Sequence, residues 1–139
     1  MFLGKFTTEF SGKNRLVLPK KIRKEFGIEE RFYIKLGSDG EIWGFDKDNW
    51  QAQTGEILRI SLSLAEGRAK RRLFFSQAEE CVLDTQGRFI LPQEFVEECE
   101  LQMEILIIGA GDHFEIWNKT SWEKVIGQIQ DEVKKIKTD

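Results

Sequence analysis

The sequence predicts an α+β fold in which one small unit occurs twice, with helices between and after the copies. Residues 11–19, SGKNRLVLP, are echoed 73 positions later by residues 84–92, DTQGRFILP. In both stretches a short polar residue stands four positions before an arginine, and three apolar residues and a proline follow it. Tryptophans also recur close to this spacing, at Trp43 and Trp117 and at Trp50 and Trp122. Similarity at a fixed spacing indicates a structural repeat.

The pattern of the first copy predicts two strands, a short helix and a hairpin. KFTTEF and RLVL have the alternation and branched side chains of strands. Pro19 suits the first turn of a helix over PKKIRKEFG, in which Ile22 and Phe26 share a face and Gly27 ends the helix. RFYIKLG and EIWGF, joined by the turn SDG, predict a hairpin.

The second copy predicts the same elements in the same order. AEECVL and RFIL are the strands, PQEFVEECE is the short helix, and EILIIG and HFEIW flank the turn AGD. The returning strands match at Trp43 and Trp117, and the helices that follow them match at Trp50 and Trp122. Chance resemblance does not explain so many matches in register, and the pattern therefore favours duplication.

The remaining segments predict helices. Asp46 can cap a helix over KDNWQAQTGEILRI, in which Gly55 is a weak point, and LSLAEGRAKRRLFF forms another. A final helix, TSWEKVIGQIQDEVKKIK, has Thr120 or Ser121 as its expected cap and an apolar face made of Trp122, Val125, Ile129, Val133 and Ile136. We expect a first repeat at 1–50, a helical spacer at 51–76, and a second repeat with the C-terminal helix at 77–139.

The two copies are expected to interlock. No Pro/Gly/Ser-rich linker separates them, and each copy alone leaves strand edges open, which proteins usually pair or cover. Two copies related by a pseudo-twofold axis can exchange hairpins and close a small barrel. This organisation predicts one shared core, which escapes the limit on how much surface a unit of roughly 45 residues can bury alone.

Charge divides the chain into unlike halves. The net charge is −3, but residues 1–76 hold 15 Lys/Arg and 10 Asp/Glu, whereas residues 77–139 hold 6 and 14. Residues 1–24 alone carry seven basic residues and one acid, Glu9. This uneven distribution is more informative about binding partners than the net charge of the whole chain. It predicts that the two copies have the same fold but different surface charges.

The basic N-terminal stretch is the first candidate site. Its residues would neutralise phosphates of double-stranded DNA, and Arg15 can hydrogen-bond O6 and N7 of a guanine. The alternative is a solvated charged face, the usual role of a charge run. The copy-two helix carries Glu94, Glu97 and Glu98 instead, and solubility alone does not require opposite signs on equivalent helices. The candidate DNA-binding residues are Lys13, Asn14, Arg15, Lys20, Lys21, Arg23 and Lys24.

Two further groups of charged residues can be interpreted either as structural or as DNA-binding. Arg68, Lys70, Arg71 and Arg72 are candidates for a second phosphate contact, and equally for a subunit interface or a cap near a helix end. Asp84 and Arg88 are expected to form a structural pair at a turn, with contact between Arg88 and DNA as the alternative. The acidic surroundings of the second copy favour the structural reading, because they repel phosphate.

Several classes of function are disfavoured. Two cysteines and one histidine cannot complete a four-ligand zinc site, so Cys81 and Cys99 are predicted to be reduced, buried thiols. His113 is predicted to be a surface turn residue rather than a base. Neither a nucleophile elbow nor a P-loop is visible. We therefore expect no enzyme activity, metal, cofactor or small-molecule substrate. No apolar run approaches a membrane span, and no signal-peptide h-region is present, so we expect a cytoplasmic protein.

Five stretches together resemble the MraZ family, namely MFLGKF, KNRLVLPKKIR, RRLFFSQA, DTQGRFILP and GAGDHFEIWNK. The resemblance implies two AbrB-type swapped-hairpin β-barrel repeats forming an intramolecular pseudo-dimer in a nucleoid-associated bacterial transcriptional regulator. It also implies a homo-oligomer, a closed ring, on repeated G-rich boxes upstream of the division and cell-wall gene cluster. The family motif begins with Asp where this chain has Ser11, which cannot form an ion pair with Arg15.

Two alternatives remain open. One is an antitoxin-like AbrB protein that binds its own promoter and a toxin. A toxin-binding tail is typically disordered, and the amphipathic C-terminal helix counts against it. The other alternative is a protein-interaction scaffold that assembles through its helices without DNA. The salt dependence of binding distinguishes a DNA-binding protein from the scaffold, because phosphate binding weakens steeply with salt, whereas apolar assembly does not.

Overall fold

The computed structural model describes residues 1–138 of the chain and shows a mixed α/β protein with antiparallel sheets and five α-helices in those residues. The first copy contains β1 (Lys5–Glu9), β2 (Arg15–Val17), α1 (Lys20–Arg23), β3 (Arg31–Leu36) and β4 (Ile42–Phe45). Two helices follow β4, namely α2 (Lys47–Leu58), which begins before the predicted spacer at 51–76, and α3 (Ala65–Ser76). The second copy contains β5 (Ala78–Val82), β6 (Arg88–Ile90), α4 (Gln93–Glu98), β7 (Glu104–Gly109), β8 (Phe114–Asn118) and α5 (Lys119–Thr138).

The copies exchange strands within a six-stranded sheet ordered β1-β7-β8-β4-β3-β5. The first strand of each copy pairs with the hairpin of the other, β1 with β7 and β5 with β3, both antiparallel. The two hairpins meet at the centre through β4 and β8. In each copy the hairpin strand β3 or β7 thus pairs with the first strand of the other copy.

A closed barrel is not found among residues 1–138, and that part of the expectation is wrong. The sheet is open, with β1 and β5 at its ends, and β2 and β6 form a separate antiparallel pair, here called the ribbon. The tight turns at 11–14 and 84–87 lead each end strand directly into a three-residue strand. These two short strands bond to each other, so their hydrogen bonds do not continue the sheet.

The main core lies between the sheet and the ribbon, and both copies build it. Phe32 on β3 stacks on Phe26 at 4.8 Å between ring centroids and meets Phe89 of the ribbon edge-on at 4.9 Å. Phe114 on β8 lies against the same group. Aromatic pairs of this kind add to the stabilisation from burial alone. Neither copy could bury these rings without the other.

Helices cover the opposite face of the sheet. Trp50 on α2 stacks on Tyr33 at 5.2 Å and on Phe74 of α3 at 5.5 Å between centroids, which fixes the α2–α3 pair. Trp122 on α5 packs against Trp117 of β8 at 5.6 Å. The recurring tryptophans therefore attach the helices to the sheet. Only the first part of α5 packs in this way, and its predicted apolar face continues as exposed side chains at Ile129, Val133 and Ile136.

Helix boundaries differ in detail from the predictions. The helix expected at 19–27 is the single turn α1 followed by a 3₁₀ turn at Lys24–Phe26. Asp46 does precede α2, but its Oδ1 accepts from the Asn49 side chain at 2.7 Å rather than from the backbone. The expected cap of α5 is wrong. The Oδ1 of Asn118 accepts the Thr120 N–H at 2.8 Å, because β8 runs directly into the helix.

Candidate nucleic-acid interface

The ribbon exposes one face that carries an arginine from each copy. Arg15 lies opposite Ile90, and Val17 lies opposite Arg88. Residues that face each other across strands, and residues two apart along a strand, share a face. These four side chains therefore form one surface, while Leu16 and Phe89 point into the core. Val17 and Ile90 are 38% and 68% exposed, so the face is open to a partner.

Asp84 binds both the backbone and the side chain of Arg88. Its Oδ2 accepts from Arg88 Nε at 2.8 Å, and its Oδ1 accepts the backbone N–H groups of Gln86 and Arg88 at 2.9 Å each. The backbone N–H of Arg88 and then its guanidinium lower the pKa of Asp84, although burial acts in the opposite direction. The predicted pair at this turn is confirmed.

Arg15 is held differently, because Ser11 has no carboxylate. Its Nε donates to the backbone carbonyl of Ser11 at 2.8 Å, and its guanidinium lies over Gly12. Both arginines are thus anchored through Nε. Within residues 1–138 neither arginine uses its two Nη groups in a hydrogen bond or ion pair. Each presents the planar pair of donors that matches two adjacent acceptors.

Each turn lies beside the helix of the other copy. At one end of the ribbon Leu18 N donates to Gly87 O at 3.1 Å, and the Arg23 guanidinium lies where a Cβ on Gly87 would be. We call this the α1 end, made of α1, Lys24 and residues 84–88. At the other end Leu91 N donates to Asn14 O at 2.8 Å. We call this the α4 end, made of α4 and residues 11–15.

The α4 end is fixed by a chain of side-chain hydrogen bonds. Asn14 Nδ2 donates to Gln93 Oε1 at 2.7 Å, and Gln93 Nε2 donates to Glu97 Oε1 at 3.1 Å. This chain joins the first-copy turn to the second-copy helix. Asn14 is therefore engaged within the protein, which sequence reasoning did not foresee.

The structure separates the predicted DNA-binding residues into two groups. β2 lies between the two groups, so they fall at opposite ends of the ribbon and not in one patch around Arg15. The basic helix lies beside the turn of Arg88 instead. Lys13, Asn14 and Arg15 belong to the α4 end, and Lys20, Lys21, Arg23 and Lys24 belong to the α1 end.

The basic cluster on α3 is mainly structural, and the capping reading is confirmed for Arg71. Its Nη2 donates to the carbonyls of Leu58 at 3.1 Å and Ile60 at 3.0 Å, at the C-terminal end of α2. The other members bind nearby groups too. Arg68 donates to Leu62 O at 2.9 Å, Lys70 pairs with Glu66 at 2.9 Å, and only Arg72 makes no such contact within residues 1–138.

His113 lies in the turn between β7 and β8, as the sequence predicted, but its side chain is less exposed than expected. It is half-buried, with Nδ1 2.8 Å from Asp112 Oδ1 and Nε2 2.8 Å from Glu115 Oε2, and its ring lies near Trp43 and Phe45. Burial alone lowers its pKa, but the hydrogen bonds of Glu115 and Asp112 outweigh burial, and the pKa is raised. In the sequence, the acids Asp112 and Glu115 on either side of His113 were the signal that could have predicted these contacts.

The two thiols are buried and free, as predicted. Burial raises the pKa of Cys81 and of Cys99 to about 12, so both remain protonated and unreactive near neutral pH. Among residues 1–138 no helix is long and apolar enough to cross a membrane. In the same range no three acidic, histidine or cysteine side chains are grouped as a metal site would require.

The fold and this surface define a class of protein with an internal duplication, in which two interlocked copies share a core and present one ribbon. The family model described as "MraZ protein, putative antitoxin-like" matches residues 1–73 and again residues 74–139. The chain belongs to the MraZ family.

Individual relatives agree along most of the chain. A protein of Caldicellulosiruptor saccharolyticus is 33% identical over 136 residues, covering 98% of this chain and 94% of its own length. One of Heliobacterium modesticaldum is 35% identical and one of Alkaliphilus oremlandii is 36% identical, each covering 89% of this chain and 85% of the relative. All three relatives carry the name Transcriptional regulator MraZ.

Proposed function

We propose that this protein is a sequence-specific DNA-binding transcriptional regulator whose binding surface is the exposed face of the ribbon. The observation that supports this most directly is the pair of arginines on that face, each held through Nε with its two Nη groups unused. The names of the relatives support the regulatory role. An enzyme reading has no comparable support.

The ribbon suits the major groove of double-stranded DNA. That groove admits a two-stranded β-ribbon, and an arginine can donate two hydrogen bonds to O6 and N7 of a guanine. Arg15 and Arg88 would each contact a guanine in this way, and Val17 and Ile90 would contact thymine methyl groups. Because each arginine is anchored beforehand, less conformational freedom is lost on binding.

Phosphate contacts would come from the ends of the ribbon. Lys20, Lys21, Arg23 and Lys24 lie next to the Arg88 turn, and Lys13 is exposed beside Arg15. Each phosphate that a cation neutralises makes binding more sensitive to salt. In the α3 cluster, Arg72 remains the candidate for a secondary contact, because the other three cations bind the protein itself.

The strand exchange supports the finer fold proposal, an intramolecular pseudo-dimer of two AbrB-type swapped-hairpin repeats at 1–50 and 77–139 with a helical spacer at 51–76. We propose that such subunits form a ring on repeated G-rich boxes upstream of the division and cell-wall genes, in the cytoplasm and on the nucleoid. The exposed apolar side chains of α5 offer surface for assembly. Linked sites can raise avidity by roughly 10²–10⁴.

The test replaces each arginine by lysine, which keeps the charge and removes the planar pair of donors. Arg15→Lys and Arg88→Lys should each weaken binding to the DNA upstream of the protein's own gene by about 1–3 kcal/mol. Binding to unrelated DNA should change little. Arg59→Lys is the matched control, because Arg59 is an exposed arginine directly after α2 and belongs to neither the ribbon nor its two ends.

A salt titration of the unaltered protein separates regulator from scaffold. Affinity for DNA should fall steeply with salt, whereas assembly through apolar helices should not. Unchanged specific binding in both lysine variants would refute the ribbon as the contact surface. Absence of any salt-sensitive DNA binding would favour the interaction scaffold.

A further inference from the structure

Each copy has a surface cavity between its short helix and the residues that precede its first strand. We call the cavity of about 240 Å³ beside α1 the first cavity, and the cavity of about 360 Å³ beside α4 the second cavity. Equivalent hydrogen bonds lie next to them, because Gly109 N donates to Gly4 O at 2.8 Å and Leu36 N donates to Gln77 O at 3.2 Å. These residues are 73 positions apart, so the two cavities occupy equivalent places in the repeat.

The two cavities carry opposite charges. Lys21 and Lys24 line the first cavity, whereas Glu79 and Glu94 line the second. Lys21 and Glu94 are equivalent positions of the repeat. Both side chains are exposed, and within residues 1–138 neither takes part in an ion pair or a hydrogen bond. Each can therefore bind a charged group that comes from outside the chain.

Apolar surface accompanies these charges. Leu3 lines the first cavity and is 64% exposed, and Met1 beside it is 78% exposed. The walls of the second cavity include Leu36 and Pro92. The four heavy atoms of a leucine side chain each occupy roughly the 30 Å³ of one water molecule. The second cavity, at about 360 Å³, is therefore large enough to receive such a side chain.

We infer that the first cavity of one subunit docks on the second cavity of another copy of this chain, with Leu3 inserted and Lys21 paired with Glu94. The inference rests on the proposed assembly of subunits and names the surfaces that would form it. Two first cavities would bring lysines together, and two second cavities would bring glutamates together, which is costly. The head-to-tail contact alone pairs opposite charges. Such a contact repeats from subunit to subunit and forms a ring where the rotation closes.

The helix α1 can serve this contact and the ribbon together. Arg23 lies over Gly87 at the ribbon, whereas Lys21 lines the cavity beside Leu3. Lys21 would then bind a carboxylate of the neighbouring subunit instead of a phosphate, and Arg23 would remain available to DNA. Because the two cavities adjoin α1 and α4, the contact would place the α1 end of one ribbon beside the α4 end of the next.

Charge reversal tests the contact in the absence of DNA, with mass measured by analytical ultracentrifugation. Lys21→Glu and Glu94→Lys each bring like charges together, and each should lose the assembled species at a concentration at which the unaltered chain is assembled. The double variant exchanges the two signs and should assemble again. Lys47→Glu is the matched control, because Lys47 is an exposed lysine at the start of α2 that lines neither cavity.

A second pair of variants tests the apolar part of the contact. Leu3→Asp should prevent assembly, because the second cavity would have to bury a charge beside its own glutamates. Leu62→Asp is the control, since Leu62 is similarly exposed, at 57%, but lies between α2 and α3. It should assemble like the unaltered chain. The midpoint of thermal unfolding, measured for each variant, checks that the fold is retained.

Assembly of both single charge variants at the unaltered mass would overturn the inference, and so would a double variant that stays dissociated. The proposed assembly would then need another surface, and loss of assembly in Val133→Asp would indicate the exposed part of α5. A chain that is monomeric at every concentration would refute the proposed assembly and the inference together. DNA binding by the ribbon is measured separately with the arginine variants, so its failure is distinguishable from both.

Discussion

Replacing Gly87 with alanine tests whether Arg23, at the α1 end of the ribbon, contacts DNA. Gly87 has a φ of +76°, and its new Cβ would overlap the Arg23 guanidinium. A non-glycine residue in the left-handed region costs about 1–2 kcal/mol. The overlap is with the flexible end of a side chain, so Arg23 should move aside and leave its place at the ribbon.

Gly40→Ala is the matched control. Gly40 has a φ of +87° in the turn between β3 and β4, and an added Cβ would meet no atom within 4 Å. It carries a comparable backbone cost without displacing Arg23. For a chain of this size, both variants should lower the midpoint of thermal unfolding by roughly 3–10 °C.

Binding to upstream DNA should separate the two variants. The loss of one phosphate contact lowers the slope of log K against log salt by about 0.9, which corresponds to about fivefold in affinity at 0.15 M salt. Gly87→Ala should show this loss, and Gly40→Ala should not. Adding Arg23→Ala to Gly87→Ala should cost little more, because both changes remove the same contact. Equal affinities for Gly87→Ala and Gly40→Ala would refute the placement of Arg23 against DNA.

Three further predictions concern stability. Ser11→Asp should supply the carboxylate that Asp84 gives the second copy, and should raise the unfolding midpoint and tighten the Arg15 turn. Phe32→Ala, at a fully buried ring shared by both copies, should cost about 3–5 kcal/mol of unfolding free energy, measured in urea. The raised pKa of His113 should stabilise the folded protein below the ordinary pKa of 6.5, and this stabilisation should be lost as pH rises through the raised pKa. When thermal unfolding is measured at several pH values, the midpoint of His113→Gln should not show this loss.

The sequence was most informative where a local pattern determines structure. The alternation of the strands, the prolines before α1 and α4, and the repeated tryptophans all depend on short-range preferences, and the elements follow them. The open edges of each copy suggested that the copies pair with each other, and β1 does pair with β7 and β5 with β3. Barrel closure was wrong because nothing local in RLV or RFI says which strand they pair with.

The candidate site was harder to predict because it depends on contacts between copies. Arg15 and Lys20 are five residues apart in sequence, and proximity along the chain suggested one basic patch. The antiparallel pairing of β2 with β6 instead brings the first-copy helix to the second-copy turn. The hydrogen bond from Asn14 to Gln93 crosses 79 positions, and no local pattern encodes it.

The turns of the two copies show how the surface could diverge while the core stayed alike. Both need a left-handed residue before the ribbon, supplied by Gly87 in one copy and by Asn14, with a φ of +59°, in the other. Asparagine tolerates this conformation better than most residues. Its amide also reaches Gln93, so the first-copy turn gains an anchor where it lacks the carboxylate of Asp84. The two copies thus anchor equivalent arginines through different hydrogen-bond acceptors on a similar backbone. The helices α1 and α4 beside the two turns carry opposite charges.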